Sequence, residues 1–177
     1  MASACPVCGF SASSVSPSDT AAALRSFPRR YKAVLIRPTN DEADDPIARR
    51  GSTGWSALDH ATWAANTIDA VGQELYQVLV RDNAEVNPPP IDPDRPPADG
   101  ISPEEALIRL TTATTNVAKE IDGAQGDQWA RTGVTPSGER ITALDLARHA
   151  VHEGIHHLRL AEKVLQEVVG HPTPPQP

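Results

Sequence analysis

Hydrophobic residues return every three or four positions in four separate stretches of the chain. That spacing collects them on one side of an α-helix, so each stretch predicts an amphipathic helix. The first opens at Ser16-Pro17-Ser18-Asp19, with a capping serine, a proline in the first turn and an acid at the third helical position. It extends to about Leu35, with Leu24, Phe27, Tyr31 and Val34 or Leu35 on its apolar side. Pro28 is expected to bend or interrupt it, because proline donates no backbone hydrogen bond. The second helix opens at Ser56, with Asp59 at the third position and Trp55 before the cap as a hydrophobic staple. Its stripe is Ala57, Ala61, Ala64, Ile68, Val71, Leu75 and Val78.

The third helix repeats the serine-proline start at Ser102-Pro103-Glu104-Glu105 and carries Leu107, Leu110, Thr114, Val117 and Ile121. The fourth begins at Thr142-Ala143-Leu144-Asp145 and extends to Val169, where Gly170 and Pro172 end it. Between the helices the pattern disappears. RPTNDEADDPIARRGSTG (37–54) is charged and broken by proline and glycine, and NPPPIDPDRPPADG (87–100) is excluded from helix and strand by its prolines. A few residues around RTGVTPSGER suit a hairpin, and no other segment alternates as a strand does. The expected architecture is therefore all-α, a four-helix bundle spanning residues 15–170, preceded by a segment 1–14 and followed by a loose tail, 171–177.

Composition narrows the functional classes. At 177 residues the chain is long enough for one domain with a buried core, and its 4% aromatic content suits close-packed helices. A net charge of −7 argues against nucleic acid as a partner, since phosphate binding needs clustered lysine and arginine. No apolar run approaches the roughly 18 residues of a membrane span, and the N-terminus lacks the pattern of a secretion signal. These features lead to an expectation of a cytoplasmic protein with reduced thiols. Its two cysteines form Cys5-Pro-Val-Cys8-Gly, half of a zinc knuckle. A closed zinc site needs four ligands, and the missing two would come from histidine or a second chain; a redox pair and idle thiols are the other readings.

The strongest chemical signal is RHAVHEGIHHLRL, residues 148–160. Of six histidines, four fall here: His149, His152, His156 and His157. With about 100° per residue, His149, His152, Glu153 and His156 share one helical face, and His157 borders it. His152 and His156 stand four residues apart, so their imidazoles can reach one ion from successive turns. The helix is apolar around most of the cluster, and burying an imidazole without a partner costs about 2 kcal/mol. The bland alternative, half-exposed histidines satisfied by water or acids, suits a lone residue better than a cluster. His60 lies on the apolar face of the second helix, and with His152 and His156 it would complete a three-histidine metal set with open positions. His171, beside Pro172, is expected to face solvent. His152-Glu153-Gly154-Ile155-His156 also matches the HExxH pattern of zinc peptidases, but no sheet is expected to build their cleft.

WSALDH at the start of the second helix, HEGIHHL in the fourth, the long third loop and the opening CPVCGF…ALRSFPRRYKAVL together resemble the DinB-like, YfiT-related four-helix bundles of actinobacterial type. The resemblance covers about residues 15–170. It implies an up-down-down-up bundle, often a homodimer, with a divalent metal held by one histidine of the second helix and a pair on the fourth. His152 and His156 match that pair. Relatives similar to mycothiol-dependent maleylpyruvate isomerase carry an acid in place of the first histidine of the pair, and others are thiol S-transferases using bacillithiol or mycothiol. One departure stands out: the family's histidine on the second helix is expected eight residues after Trp55, where this chain has Trp63, and His60 lies one turn earlier.

The expectation is thus a metal-dependent enzyme acting on a small-molecule substrate, a thiol S-transferase or a hydrolase. Zn²⁺ or Ni²⁺ would sit on His60, His152 and His156, with Glu153 and His149 handling protons and Asp59 orienting His60. A low-molecular-weight thiol such as mycothiol is the implied cosubstrate. Trp63 favours the alternative, a non-enzymatic bundle that binds a metal, a ligand or a partner.

Overall fold

The computed structural model describes residues 4–36, 46–87 and 101–169. The tail, including His171, most of the proline-rich connection and residues 37–45 lie outside the described residues. Four long helices make up the body: α1 (Pro17–Leu35), α2 (Ala57–Val80), α3 (Pro103–Gly123) and α4 (Ala143–Val169). Their starts are set by side chains that satisfy the otherwise unpaired first-turn N–H groups. Ser16 and Asp19 form a reciprocal capping box on α1, as Ser56 and Asp59 do on α2. Ser102 Oγ accepts the Glu105 N–H to begin α3, and Thr142 Oγ1 accepts the Asp145 N–H to begin α4. Each such cap contributes about 1 kcal/mol.

The expected apolar stripes face the core. All seven stripe residues of α2, from Ala57 to Val78, are fully buried. Pro28 does not interrupt α1, which continues through it. Phe27 and Tyr31 on either side are fully buried, and their packing outweighs the single backbone bond that proline removes.

Around the bundle, α2 packs against both α3 and α4, and α1 packs against α3 and, less extensively, α4. The pairs α1/α2 and α3/α4 scarcely touch, so each lies across a diagonal. This order makes α2 and α4 neighbours although more than sixty residues separate their ends. The anticipated hairpin pairs β2 (Thr132–Val134) with β3 (Arg140–Thr142), antiparallel, through a turn closed by Gly138 at φ 83°. A short strand missed by the sequence pattern, β1 (Ala84–Glu85), adds parallel to β2 and makes a three-stranded sheet. Two residues are too few to show alternation.

Helices α1 and α4 approach closely at Gly154. Tyr31 Oη donates to the Gly154 carbonyl at 2.9 Å in the buried interior. A Cβ on residue 154 would lie 2.2 Å from Phe27 Cε2, an impossible contact against a ring with no room to move. Replacing Gly154 with valine is therefore expected to cost about 2 kcal/mol or more, despite valine's better helix propensity. The urea unfolding midpoint reads this directly, and an unchanged midpoint would show that α1 and α4 are less closely packed than described.

Candidate functional site

The first turn of α2 is held unusually firmly. The Asp59 carboxylate is buried, accepts from the Ser56 backbone N–H and Oγ at 2.8 Å each, and lies 3.4 Å from Arg50 Nη1. Asp59 therefore fixes the helix start, in place of the expected orientation of the His60 ring. Trp55 is buried and stacks on that ring at 5.0 Å between centroids. The staple tryptophan thus carries out the orientation expected of Asp59.

Held this way, His60 meets α4. Its Nδ1 lies 3.1 Å from the Nδ1 of His157, and both side chains are buried. On the far side of His157, Nε2 lies 3.5 Å from Glu153 Oε2, while Glu153 Oε1 lies 3.5 Å from His152 Nδ1. A continuous row of polar groups therefore crosses the α2–α4 interface: His60, His157, Glu153 and His152. His156 stands beside it, with its ring 5.3 Å from that of His157 and 5.4 Å from that of His152.

Burial sets the charge states. It lowers His60 to about 3, helped by the nearby His157 and His156, and it pushes His157 and His149 down as well. Burial alone would raise Glu153, but hydrogen bonds from His152 and His157 outweigh it and keep the carboxyl well below the usual carboxylate range. The same bond to Glu153 raises His152. The result is an ionised carboxylate beside His157, with His157 and His60 both held neutral, the protonation state a metal ligand requires.

This row forms the wall of a cavity of about 540 Å³ lined also by Trp55, Trp63, His156 and Leu160. Trp63 Nε1 is buried there without a hydrogen-bond partner. Such a donor is costly to leave unpaired. A smaller cavity, about 260 Å³, lies on the other side of His152 and is lined by Cys5, Phe10, Arg148 and His149.

The structure thus divides the sequence-selected residues into three groups. His152 and His156 come together with Cys5 and Cys8, the donor atoms of all four lying within 4.8 Å of one another. His149 joins His152 and Glu153 within the same limit, away from the larger cavity. His60 is drawn to His157 instead of to the His152–His156 pair. Helical period alone places His157 at the border of the histidine face. A signal was nonetheless present: His157 continues the seven-residue series Ala150, His157, Val164, all of which are buried.

Comparison with known proteins agrees with this architecture. No curated protein matches the chain. YfiT from Bacillus subtilis, described as a probable metal-dependent hydrolase with an unusual four-helix bundle topology, matches with a TM-score of 0.69 at 17% identity, over 85% of this chain and 88% of that one. Likeness at that identity shows a shared fold. The family model of the DinB superfamily matches residues 23–161, taking in most of α1, all of α2 and α3 and the histidine segment of α4, and the chain belongs to that superfamily.

Proposed function

We propose that the protein is a metal-dependent enzyme acting on a small molecule, as a hydrolase or a thiol S-transferase, with its divalent ion at the α2–α4 pocket. The observation that supports this reading is the meeting of His60 and His157. Two buried, neutral imidazoles from non-adjacent helices present nitrogens 3.1 Å apart on the wall of a cavity. Two nitrogens bound to one ion at about 2.0–2.1 Å stand roughly 2.9–3.3 Å apart for bond angles between square and tetrahedral. The observed separation falls within that interval.

The residues that would hold the ion are His60 and His157, with Glu153 bracing His157 from its Nε2 side. Glu153 and His157 are four residues apart on α4. They form a pair with an acid in first position, the variant seen in the mycothiol-dependent maleylpyruvate isomerase relatives that the sequence resembles. In our reading this set takes the place of His60, His152 and His156. Two imidazoles suit a divalent transition metal such as Zn²⁺ or Ni²⁺ and leave positions open. When bound, the ion lowers the pKa of water or a thiol, supplying a nucleophile near neutral pH.

The chain's own groups do the rest. Glu153 holds the His157 ring and fixes its tautomer, because a carboxylate facing Nε2 favours the proton there and leaves Nδ1 free as a donor of electrons. Trp55 fixes the plane of His60. The indoles of Trp55 and Trp63 give the cavity an apolar wall. Mycothiol is the thiol that the resemblance nominates as cosubstrate.

Tag-free protein, stripped of metal and reloaded with Zn²⁺ or Ni²⁺, is expected to act on a panel of small esters, amides and electrophiles offered with water or mycothiol. His60→Ala and His157→Ala should each lower kcat/KM by about 100-fold or more, and Glu153→Gln by about 10–100-fold. Loss on His152→Ala with retention on His157→Ala would return the ion to the three-histidine set.

Acid sensitivity provides a second test. His60 titrates at about 3 when folded, against roughly 6.5 unfolded, so below about pH 6.5 the unfolded chain binds a proton that the folded one refuses. Its contribution to stability therefore falls as pH drops from about 6.5 toward 3. In metal-free protein, the stability of wild type minus that of His60→Gln should shrink between about pH 7 and about pH 5, read by urea unfolding. Parallel pH curves would place the acid sensitivity elsewhere.

A further inference from the structure

The pocket leaves one sequence motif unused. Cys5-Pro-Val-Cys8-Gly lies outside the helices, yet it does not hang free. Arg148 Nε of α4 donates to the Val15 carbonyl at 2.9 Å, and Phe10 stacks on His152 with centroids 5.5 Å apart. These two contacts lay the N-terminal segment along α4 and bring the cysteines over its histidines.

The loop itself is shaped around sulfur. The Cys5 carbonyl accepts the Gly9 N–H at 2.8 Å, and the Cys5 N–H donates to Phe10 at 2.9 Å. Gly9 stands at φ 72°, a left-handed conformation that a side chain would resist, although nothing lies within 4 Å of where its Cβ would be. Glycine is there for the turn and not for space. The turn sets both sulfurs beside the α4 histidines, and thiolate is the form in which sulfur binds a cation.

Opposite them stand His152 and His156. One nitrogen from each and both sulfurs lie within 4.8 Å of one another. Cys5 Sγ and His156 Nδ1 are 3.5 Å apart. A tetrahedral zinc ion with Zn–S of about 2.3 Å and Zn–N of about 2.0–2.1 Å requires a sulfur–nitrogen edge of roughly 3.6 Å. His152 Nε2 is buried with no hydrogen-bond partner, while its Nδ1 faces the Glu153 carboxylate. That is the arrangement of a ligating imidazole oriented from behind by an acid. The chain spacing agrees: two residues separate the cysteines and three the histidines, as in closed Cys₂His₂ sites.

We propose that Cys5, Cys8, His152 and His156 bind one Zn²⁺ in a closed tetrahedral site that fastens the N-terminal segment to α4. Two thiols lose their protons to solvent on binding, and the two thiolates neutralise the ion while the imidazoles stay uncharged. No redox step is involved. Four protein ligands leave no open position, so this ion is structural and distinct from the pocket at His60 and His157. It occupies the two α4 histidines that the pocket does not require and accounts for why one helix carries so many.

The test uses the full-length chain without a histidine tag, under reducing conditions. Cobalt-loaded protein is expected to show intense tetrahedral ligand-field bands and a thiolate-to-metal charge-transfer band, and X-ray absorption of the zinc form should give two sulfur and two nitrogen neighbours. Cys5→Ser and Cys8→Ser should each remove or halve the thiolate band and weaken zinc retention by about 100-fold, with helical circular dichroism unchanged because the segment lies outside the bundle. His60→Ala and His157→Ala should leave the sulfur–nitrogen signature intact while abolishing turnover, so failure of the pocket reading and failure of this one are separable. A wild-type cobalt spectrum without a thiolate band overturns the proposal, and so does equal alkylation of both cysteines with and without zinc.

Discussion

Everything distinctive about this molecule depends on α2 and α4 lying side by side. Both carry buried alanines along their length, including Ala57, Ala61, Ala64 and Ala65 on one and Ala143, Ala147, Ala150 and Ala161 on the other. Small side chains let helices approach closely, and a close interface has no room for unpaired polar groups. His60, Glu153 and His157 are buried there all the same. Their burial is tolerable only because each faces another of the three, and that mutual dependence fixes their geometry before any ligand arrives.

The polar row has two ends of different chemistry. Toward the pocket it offers imidazole and carboxylate beside two indoles, a hard-to-intermediate donor set with space next to it. Toward the N-terminal segment it offers imidazole beside thiol, a softer and half-buried set. Glu153 sits between the two ends and contacts a histidine of each. A single carboxylate therefore orients both His152 and His157, and removing its charge is felt at both sites.

The HExxH match within α4 takes on a different meaning in this setting. A peptidase needs its glutamate free to work on water at an ion held by the flanking histidines. Here Glu153 is directed to His152 and His157, while His156 turns to Cys5. Gly154, in the middle of the motif, is demanded by Phe27 and not by chemistry. The letters coincide, but the geometry serves another purpose.

Much of this was legible along the chain. Ser16, Ser56, Ser102 and Thr142 marked the helix starts because capping depends on neighbours three residues away, and the stripe of α2 marked its buried face because helical period is local. The clustering of imidazoles and the cysteine pair were visible for the same reason. What one sequence could not fix was which helix each face would meet. A helical period assigns His60, His156 and His157 to faces of their own helices, but the diagonal placement of α1 and α2 is decided by packing among all four. That packing set His60 against His157, and the Phe10 and Arg148 contacts brought Cys5 and Cys8 to His152 and His156. Contacts between residues so far apart in the chain carry no local signature, so only the tertiary structure decided them.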